Sequence, residues 1–153
     1  MKAIIKGNNR KEIRYTIDFL LDYGIDSFIV FAKLDNRERY ILENELLVWD
    51  IRAVVLEDND TTYEKLQLIK GSFTDTFLIA YSSEISNFDL IKAYKYHKTS
   101  TKICTLLSTT QKTVGIFLEI EIFDYMDKRK HFEKEIIRRA FQDDEANIYN
   151  LTE

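Results

Sequence analysis

The chain has 153 residues, 45% hydrophobic and 31% charged, enough apolar matter for one good core and too much for disorder. Twenty-two lysines and arginines against 26 aspartates and glutamates give a net charge of −4, the wrong sign for a dedicated nucleic-acid binder. One cysteine and two histidines exclude an internal disulfide and a zinc cage, and the four glycines stand too far apart for a glycine-rich phosphate loop.

Lys2 to Lys6 is a short apolar run ending at Gly7-Asn8-Asn9, which predicts a buried first strand and a turn. From Lys11 the residues Ile13, Ile17, Leu20 and Leu21 recur at helical spacing, and Gly24 stands where such a helix ends. Ser27 to Ala32 is aromatic and β-branched without polar alternation, the pattern of a strand buried on both faces of a parallel sheet. Arg37 to Leu47 suits a helix with Tyr40, Ile41 and Leu47 on one side. Ile51 to Leu56 predicts the third strand, followed by the acidic stretch Glu57-Asp58-Asn59-Asp60. Thr61 or Thr62 caps the next predicted helix, which turns Leu66 and Ile69 inward and stops at Gly71. Thr76 to Tyr81 is the fourth strand, and Phe88 to His97 a helix capped by Asn87. Lys102 to Leu107 and Val114 to Leu118 predict two more strands. Glu121 to Asp127 predicts a short helix, His131 to Phe141 a longer one, and Asn147 to Leu151 a last short strand.

Strands alternating with helices predict an α/β fold, a three-layer Rossmann-like sandwich with a mixed, mainly parallel sheet of roughly six or seven strands. Right-handed crossovers place helices on both sheet faces. Residues 1–153 read as a single domain, with the first four strands at its centre and the last at its rim. No run is long and apolar enough to span a bilayer, so a soluble, cytoplasmic protein is expected.

In open α/β sheets, ligands bind beyond the carboxyl ends of the strands. Those ends offer Lys6, Asn8 and Arg10 after the first strand, Thr61 and Thr62 beyond the third, and Ser83 and Glu84 after the fourth. Turn composition alone accounts for the first group, and a polar turn is the favoured reading of it. Glu57 and Asp58 could approach Mg²⁺, but one carboxylate pair is too little for a site. Ser82-Ser83 lies in no G-x-S-x-G elbow, and nothing in the sequence brings His97 or His131 beside a serine. Cys104 reads as a small buried hydrophobe. Lys92, Lys95, Lys98 and the run Lys128-Arg129-Lys130 read as solvated helix surface, on the expectation that no exposed aromatics interleave with them as nucleic-acid stacking needs. On these grounds no catalytic residue, metal ligand or cofactor is assigned.

Several segments, in order, resemble the sugar nucleotidyltransferases. Met1-Lys2-Ala3-Ile4-Ile5 is similar to their opening strand, and Ile13 to Leu20 through Tyr23-Gly24-Ile25-Asp26 to their first helix. Asp75 to Tyr81 followed by Asn87-Phe88-Asp89-Leu90 resembles the family's fourth strand and next helix, and Tyr96-His97-Lys98 its F-H-K ending. Val114-Gly115-Ile116-Phe117 with Glu121-Ile122-Phe123-Asp124-Tyr125 is similar to A-G-I-Y-x-F…E-I-F-D-Y. Phe132 to Ile137 and Ile148-Tyr149 resemble the segments after it.

The departures fall on the family's chemistry. The phosphate-cradling L-A-A-G-x-G-T-R-L…P-K is absent, since Ile5-Lys6-Gly7-Asn8-Asn9 runs almost straight into the helix and the chain has no proline. The base-packing G-T-A is reduced to Asp60-Thr61-Thr62-Tyr63, and Ser82-Ser83 stands where the family has Gly-Asp with its Mg²⁺ ligand. The E-K-P segment is missing between Ser108 and Thr113, and the region of a second metal-binding aspartate does not follow. Nucleotidyl transfer rests on positioning and on metal electrostatics, so the resemblance implies a scaffold retained with its site stripped. The expectation is a catalytically degenerate protein acting through a protein partner or as a homodimer, in surface-polysaccharide or sugar-nucleotide synthesis. The alternatives are a nucleotide or nucleotide-sugar sensor and, behind it, a minimal enzyme using Glu84 or Glu57. Trp49, Tyr94, Tyr125 and Tyr149 are the candidate interface aromatics, and Asn147 to Leu151 the candidate exposed edge.

Overall fold

The computed structural model describes residues 1–58, 70–84, 87–125 and 136–151. Its strands are β1 (Lys2–Gly7), β2 (Ser27–Ala32), β3 (Arg52–Glu57), β4 (Phe77–Tyr81), β5 (Cys104–Ser108), β6 (Thr113–Leu118) and β7 (Ala146–Asn150). They form a seven-stranded sheet in the order β3-β2-β1-β4-β6-β5-β7. β6 runs antiparallel to both neighbours and every other pairing is parallel. The reason for the one reversal is local. Only Thr109 to Lys112 separate β5 from β6, and so short a link makes a hairpin rather than a crossover.

The α-helices are α1 (Arg10–Asp22), α2 (Asn36–Val48), α3 (Leu90–Ser100) and α4 (Ile137–Gln142). Ile13, Ile17 and Leu20 of α1, Leu42 and Leu46 of α2, and Leu90 and Ala93 of α3 pack with Ala3, Ile5, Val30 and Leu78 on one sheet face. Ile122 and the α4 region, through Ile136, Ile137 and Ala140, cover Ile4, Ile29, Ile79 and Ile116 on the other. Successive β1 residues therefore enter opposite cores. That is why its apolar run shows no polar alternation.

Side chains start the helices. Asn9, Asp35 and Asp89 accept from the backbone N–H of Glu12, Glu38 and Lys92 at 3.0, 2.8 and 3.1 Å. The predicted Asn87 cap is thus corrected to Asp89, and Asn87 Oδ1 instead accepts from the Tyr15 hydroxyl at 3.3 Å. With glycine scarce, three helix ends turn left-handed at other residues: Asp50, Thr101 and Asp144, with φ of 53°, 58° and 57°. Ile120–Tyr125 is a 3₁₀ helix, which covers the described part of the short helix predicted over Glu121 to Asp127. The predicted Thr61 or Thr62 cap, the Leu66 and Ile69 positions and the start of the His131 helix lie outside the described residues.

Two further expectations are corrected. β3 is an edge strand rather than a central one, because the chain leaves it for the far side of β1. Val54 is 56% exposed, and Arg39 Nη2 donates to the Val55 carbonyl at 2.9 Å, covering part of the strand's backbone. In α2, Leu42 and Leu46 face the core, whereas Tyr40 and Leu47 are exposed. The Leu46-Leu47-Val48 run puts apolar residues all round the helix, so periodicity alone does not choose the buried side. β7 does lie at the rim, as expected. No described helix is long and apolar enough to cross a membrane.

Thr101 is β-branched in a conformation that L-residues avoid at a cost of roughly 1–2 kcal/mol. Thr101→Gly is expected to stabilise the protein by up to about 1 kcal/mol once glycine's chain entropy is subtracted, as urea unfolding would show.

Candidate functional site

The chain builds β1, moves to β2 and β3 on one side, then returns to place β4 on the other. The topological switch point, where such sheets open a ligand crevice, therefore lies between the carboxyl ends of β1 and β4. Here that position is filled. The Ser82 N–H donates to the Lys6 carbonyl at 2.9 Å, and the Lys33 N–H to the Gly7 carbonyl at 2.9 Å. A Cβ on Gly7 would stand 2.0 Å from Ser82 Oγ and 2.8 Å from Ile13 Cγ1. Glycine is required by this approach, and the Ser82 hydroxyl is buried without a hydrogen-bond partner.

Around this contact the polar groups are matched within the chain. The Arg10 guanidinium binds Glu38 and reaches Glu45 Oε1 at 2.6 Å, so two α2 carboxylates hold the cation at the head of α1. The bond to Glu38 raises the Arg10 pKa further above its ordinary value. Glu84 Oε2 meets Lys112 Nζ at 2.5 Å, and the bond from Lys112 holds its carboxyl below the usual range. Ser83 Oγ donates to Glu84 Oε1 at 3.3 Å. Lys6 is half-buried and Asn8 exposed. Of the candidates, the structure brings Lys6, Asn8, Ser83 and Glu84 to neighbouring strand ends and directs Arg10 to α2. Thr61 and Thr62 lie outside the described residues.

The donor set does not fit the divalent ion that the family resemblance implies. A hard cation needs converging carboxylates. Glu57 ends β3 and Glu84 follows β4, strands that β2 and β1 hold roughly 14 Å apart at ordinary sheet spacing. Glu84 is also committed to Lys112. Among the described residues no group of three or more His, Cys, Asp or Glu could hold a metal. Near these ends, Tyr81, Leu106, Thr113, Ile116 and Ile137 line a hollow of about 270 Å³, below the usual range for small-molecule sites.

Sequence reasoning missed Lys112, Glu38 and Glu45, the partners that occupy the predicted ligands. Glu38 carried a signal, since it follows Asp35 at the spacing of a capped first turn. Lys112 carried none, because its contact with Glu84 arises from the β4–β6 pairing.

A second polar cluster lies at the opposite end of the strands. Thr105 Oγ1 donates to Asn147 Oδ1 at 2.6 Å and so accepts from His97 Nδ1–H at 2.6 Å. His97 Nε2 is then an unprotonated acceptor, buried and 3.7 Å from Glu119. Lys98 donates to Thr76 at 2.7 Å and to Glu119 at 2.8 Å. Burial lowers the His97 pKa against the pull of Glu119, so the pair is not ionic at neutral pH. Burial raises the Glu119 pKa, but bonds from Lys98 and Thr76 more than reverse this and leave it lowered.

Solved structures share this fold. A candidate glucose-1-phosphate thymidylyltransferase from Bacillus anthracis, in complex with sucrose, aligns with a TM-score of 0.73 at 10% identity, over 98% of this chain and 86% of that one. A 4-diphosphocytidyl-2C-methyl-D-erythritol synthase from Anaerococcus prevotii gives 0.70 at 12%, over 97% and 87%. An inositol-1-phosphate CTP transferase from T. maritima gives 0.70 at 9%, over 98% and 85%. The fold is therefore that of the sugar nucleotidyltransferases. No protein-family pattern and no curated protein matches the chain.

Gly7→Ala is expected to destabilise the protein by about 1–3 kcal/mol through overpacking against Ser82 and Ile13, while Gly71→Ala, with nothing within 4 Å, stays near neutral in the same urea titration. The polar cluster predicts a pH profile. His97 binds its proton less readily folded than unfolded, so stability falls as pH drops below its ordinary value of 6.5. Glu119 behaves as a depressed carboxyl, and its contribution is lost separately, below 4.5. Thermal melts across pH should show both losses, and His97→Leu should remove the upper one alone.

Proposed function

We propose that this chain performs no nucleotidyl transfer and acts by holding another protein, in the setting of sugar-nucleotide synthesis that its solved neighbours suggest. The supporting observation is the closed switch point, where Ser82 packs on Gly7 at the place the fold ordinarily keeps open. A triphosphate entering there must displace a buried side chain and compete with Glu38 and Glu45 for Arg10. Replacing the family's metal-binding aspartate by serine leaves a neutral hydroxyl where a hard cation needs charge. What survives is a rigid scaffold with apolar side chains on its surface. Tyr94 is packed edge-on to Phe117 at 5.6 Å, Tyr149 against Tyr96 at 5.0 Å, and Tyr125 is bonded to Asp143. Trp49, by contrast, is 69% exposed, and such a residue in a soluble scaffold favours a protein contact.

Pyrophosphate release and titration calorimetry with nucleoside triphosphates, sugar phosphates, nucleotide-sugars and Mg²⁺ test this reading. Neither turnover nor heat is expected. Nucleotide-sugar binding without turnover, lost in Lys6→Ala, would transfer the reading to a sensor. Steady pyrophosphate release abolished by Glu84→Gln or Glu57→Gln would restore the enzyme.

A further inference from the structure

The buried relay at the amino ends of the strands stops one donor short. Thr105 gives its own proton to Asn147, so it can only accept from His97, and Nδ1 must carry the ring proton. Nε2 is thereby fixed as an acceptor. His97 is 1% exposed, and Nε2 is buried without a hydrogen-bond partner. The group that faces it, Glu119 Oε2 at 3.7 Å, is a carboxylate oxygen and accepts as well. A chain that fixes a tautomer through two further residues and leaves the free nitrogen unpaired draws the missing donor from outside itself.

His97 and Glu119 form part of the wall of a hollow of about 450 Å³, within the usual range for a small-molecule site. Lys98 and Lys102 line it too, but each is already held by a carboxylate. Lys98 binds Glu119 at 2.8 Å and Lys102 binds Asp144 at 3.3 Å. Glu121 and Glu145 complete the charged lining, and neither pairs with a cation among the described residues. His97 and Lys98 come from the last turn of α3, and the negative end of a helix adds to the pull on a positive charge.

These features select the ligand. An anion meets three carboxylates and an acceptor nitrogen. A metal ion finds no group of three suitable ligands among the described residues. A neutral hydroxyl compound satisfies Nε2 but leaves Glu121 and Glu145 uncompensated. A guanidinium is a wide planar fork, whereas Nε2 lies beneath the surface. A primary ammonium is compact and brings three N–H donors together with its charge.

We propose that this hollow binds a primary ammonium group, which donates to His97 Nε2 and Glu119 Oε2 and is neutralised by Glu121 and Glu145. The partly exposed Glu119 side chain turns to admit it. A free diamine and the lysine side chain of a protein offer the same group. The site lies at the opposite end of the sheet from the closed switch point and stands apart from the non-catalytic reading.

The test is nitrogen NMR of the uniformly labelled full chain, read at the His97 ring. Diaminobutane at millimolar concentration is expected to move the Nε2 resonance saturably. Tetramethylammonium, which carries positive charge but no N–H, should leave it in place. Glu121→Gln and Glu145→Gln have no ion pair to lose, so the fold is kept, and each should weaken binding by roughly threefold or more. Glu119→Gln should weaken it by roughly tenfold, since a charge-assisted bond is lost. An equal response to Nα-acetyl-lysinamide would assign the group to a lysine side chain, and a response to diaminobutane alone to a free diamine. An Nε2 resonance unmoved by both amines, or moved equally by tetramethylammonium, would overturn the proposal. So would movement by Mg²⁺ or Zn²⁺ alone, which would make the site a metal centre, or binding unchanged in the Glu121→Gln, Glu145→Gln double variant. Pyrophosphate release would bear on the non-catalytic reading and leave this site standing.

Discussion

Two residues, Asn8 and Asn9, carry the chain from the end of β1 to the first turn of α1. So short a turn seats the helix start directly over the strand end and leaves no length for a loop that encircles phosphates. Gly7, lacking a Cβ, lets β4 close in from the side, and the Ser82 side chain takes the space. Arg10, carried by the same turn to the head of α1, is delivered to Glu38 and Glu45. Backbone economy at one position thus decides the shape and the electrostatics of the whole carboxyl rim.

The two ends of the sheet solve their polar problems differently. At the carboxyl end, surface pairs such as Glu84 with Lys112 neutralise charge where solvent can still screen it. At the amino end, His97 is buried and its ring is oriented by Thr105, which is itself oriented by Asn147 of the edge strand. Removing the Thr105 hydroxyl leaves the buried His97 Nδ1–H without its partner, a cost of about 1–3 kcal/mol. The buried chain ties α3 to β5 and β7. The carboxyl rim carries no comparable buried network among the described residues.

α2 shows how a core can be satisfied while a surface is not. Two leucines four apart are enough to seat it on the sheet, and Arg39 spans from it to the β3 backbone. Its remaining apolar residues have no place in this chain's core.

The layer architecture was legible in the chain before folding, because strands buried on both faces must read as unbroken apolar runs and the helices between them at helical spacing. The sequence also excluded a glycine-rich phosphate loop, since four glycines far apart cannot build one. It placed β3 at the centre wrongly, because Val54-Val55-Leu56 is apolar whether or not a neighbour covers it. It put Tyr40 and Leu47 on a helix face without saying which way that face turns. Tertiary structure decided those questions, along with the partners of Arg10 and Glu84. Each depends on residues distant in sequence meeting across strands and helices, and neither periodicity nor composition records that encounter.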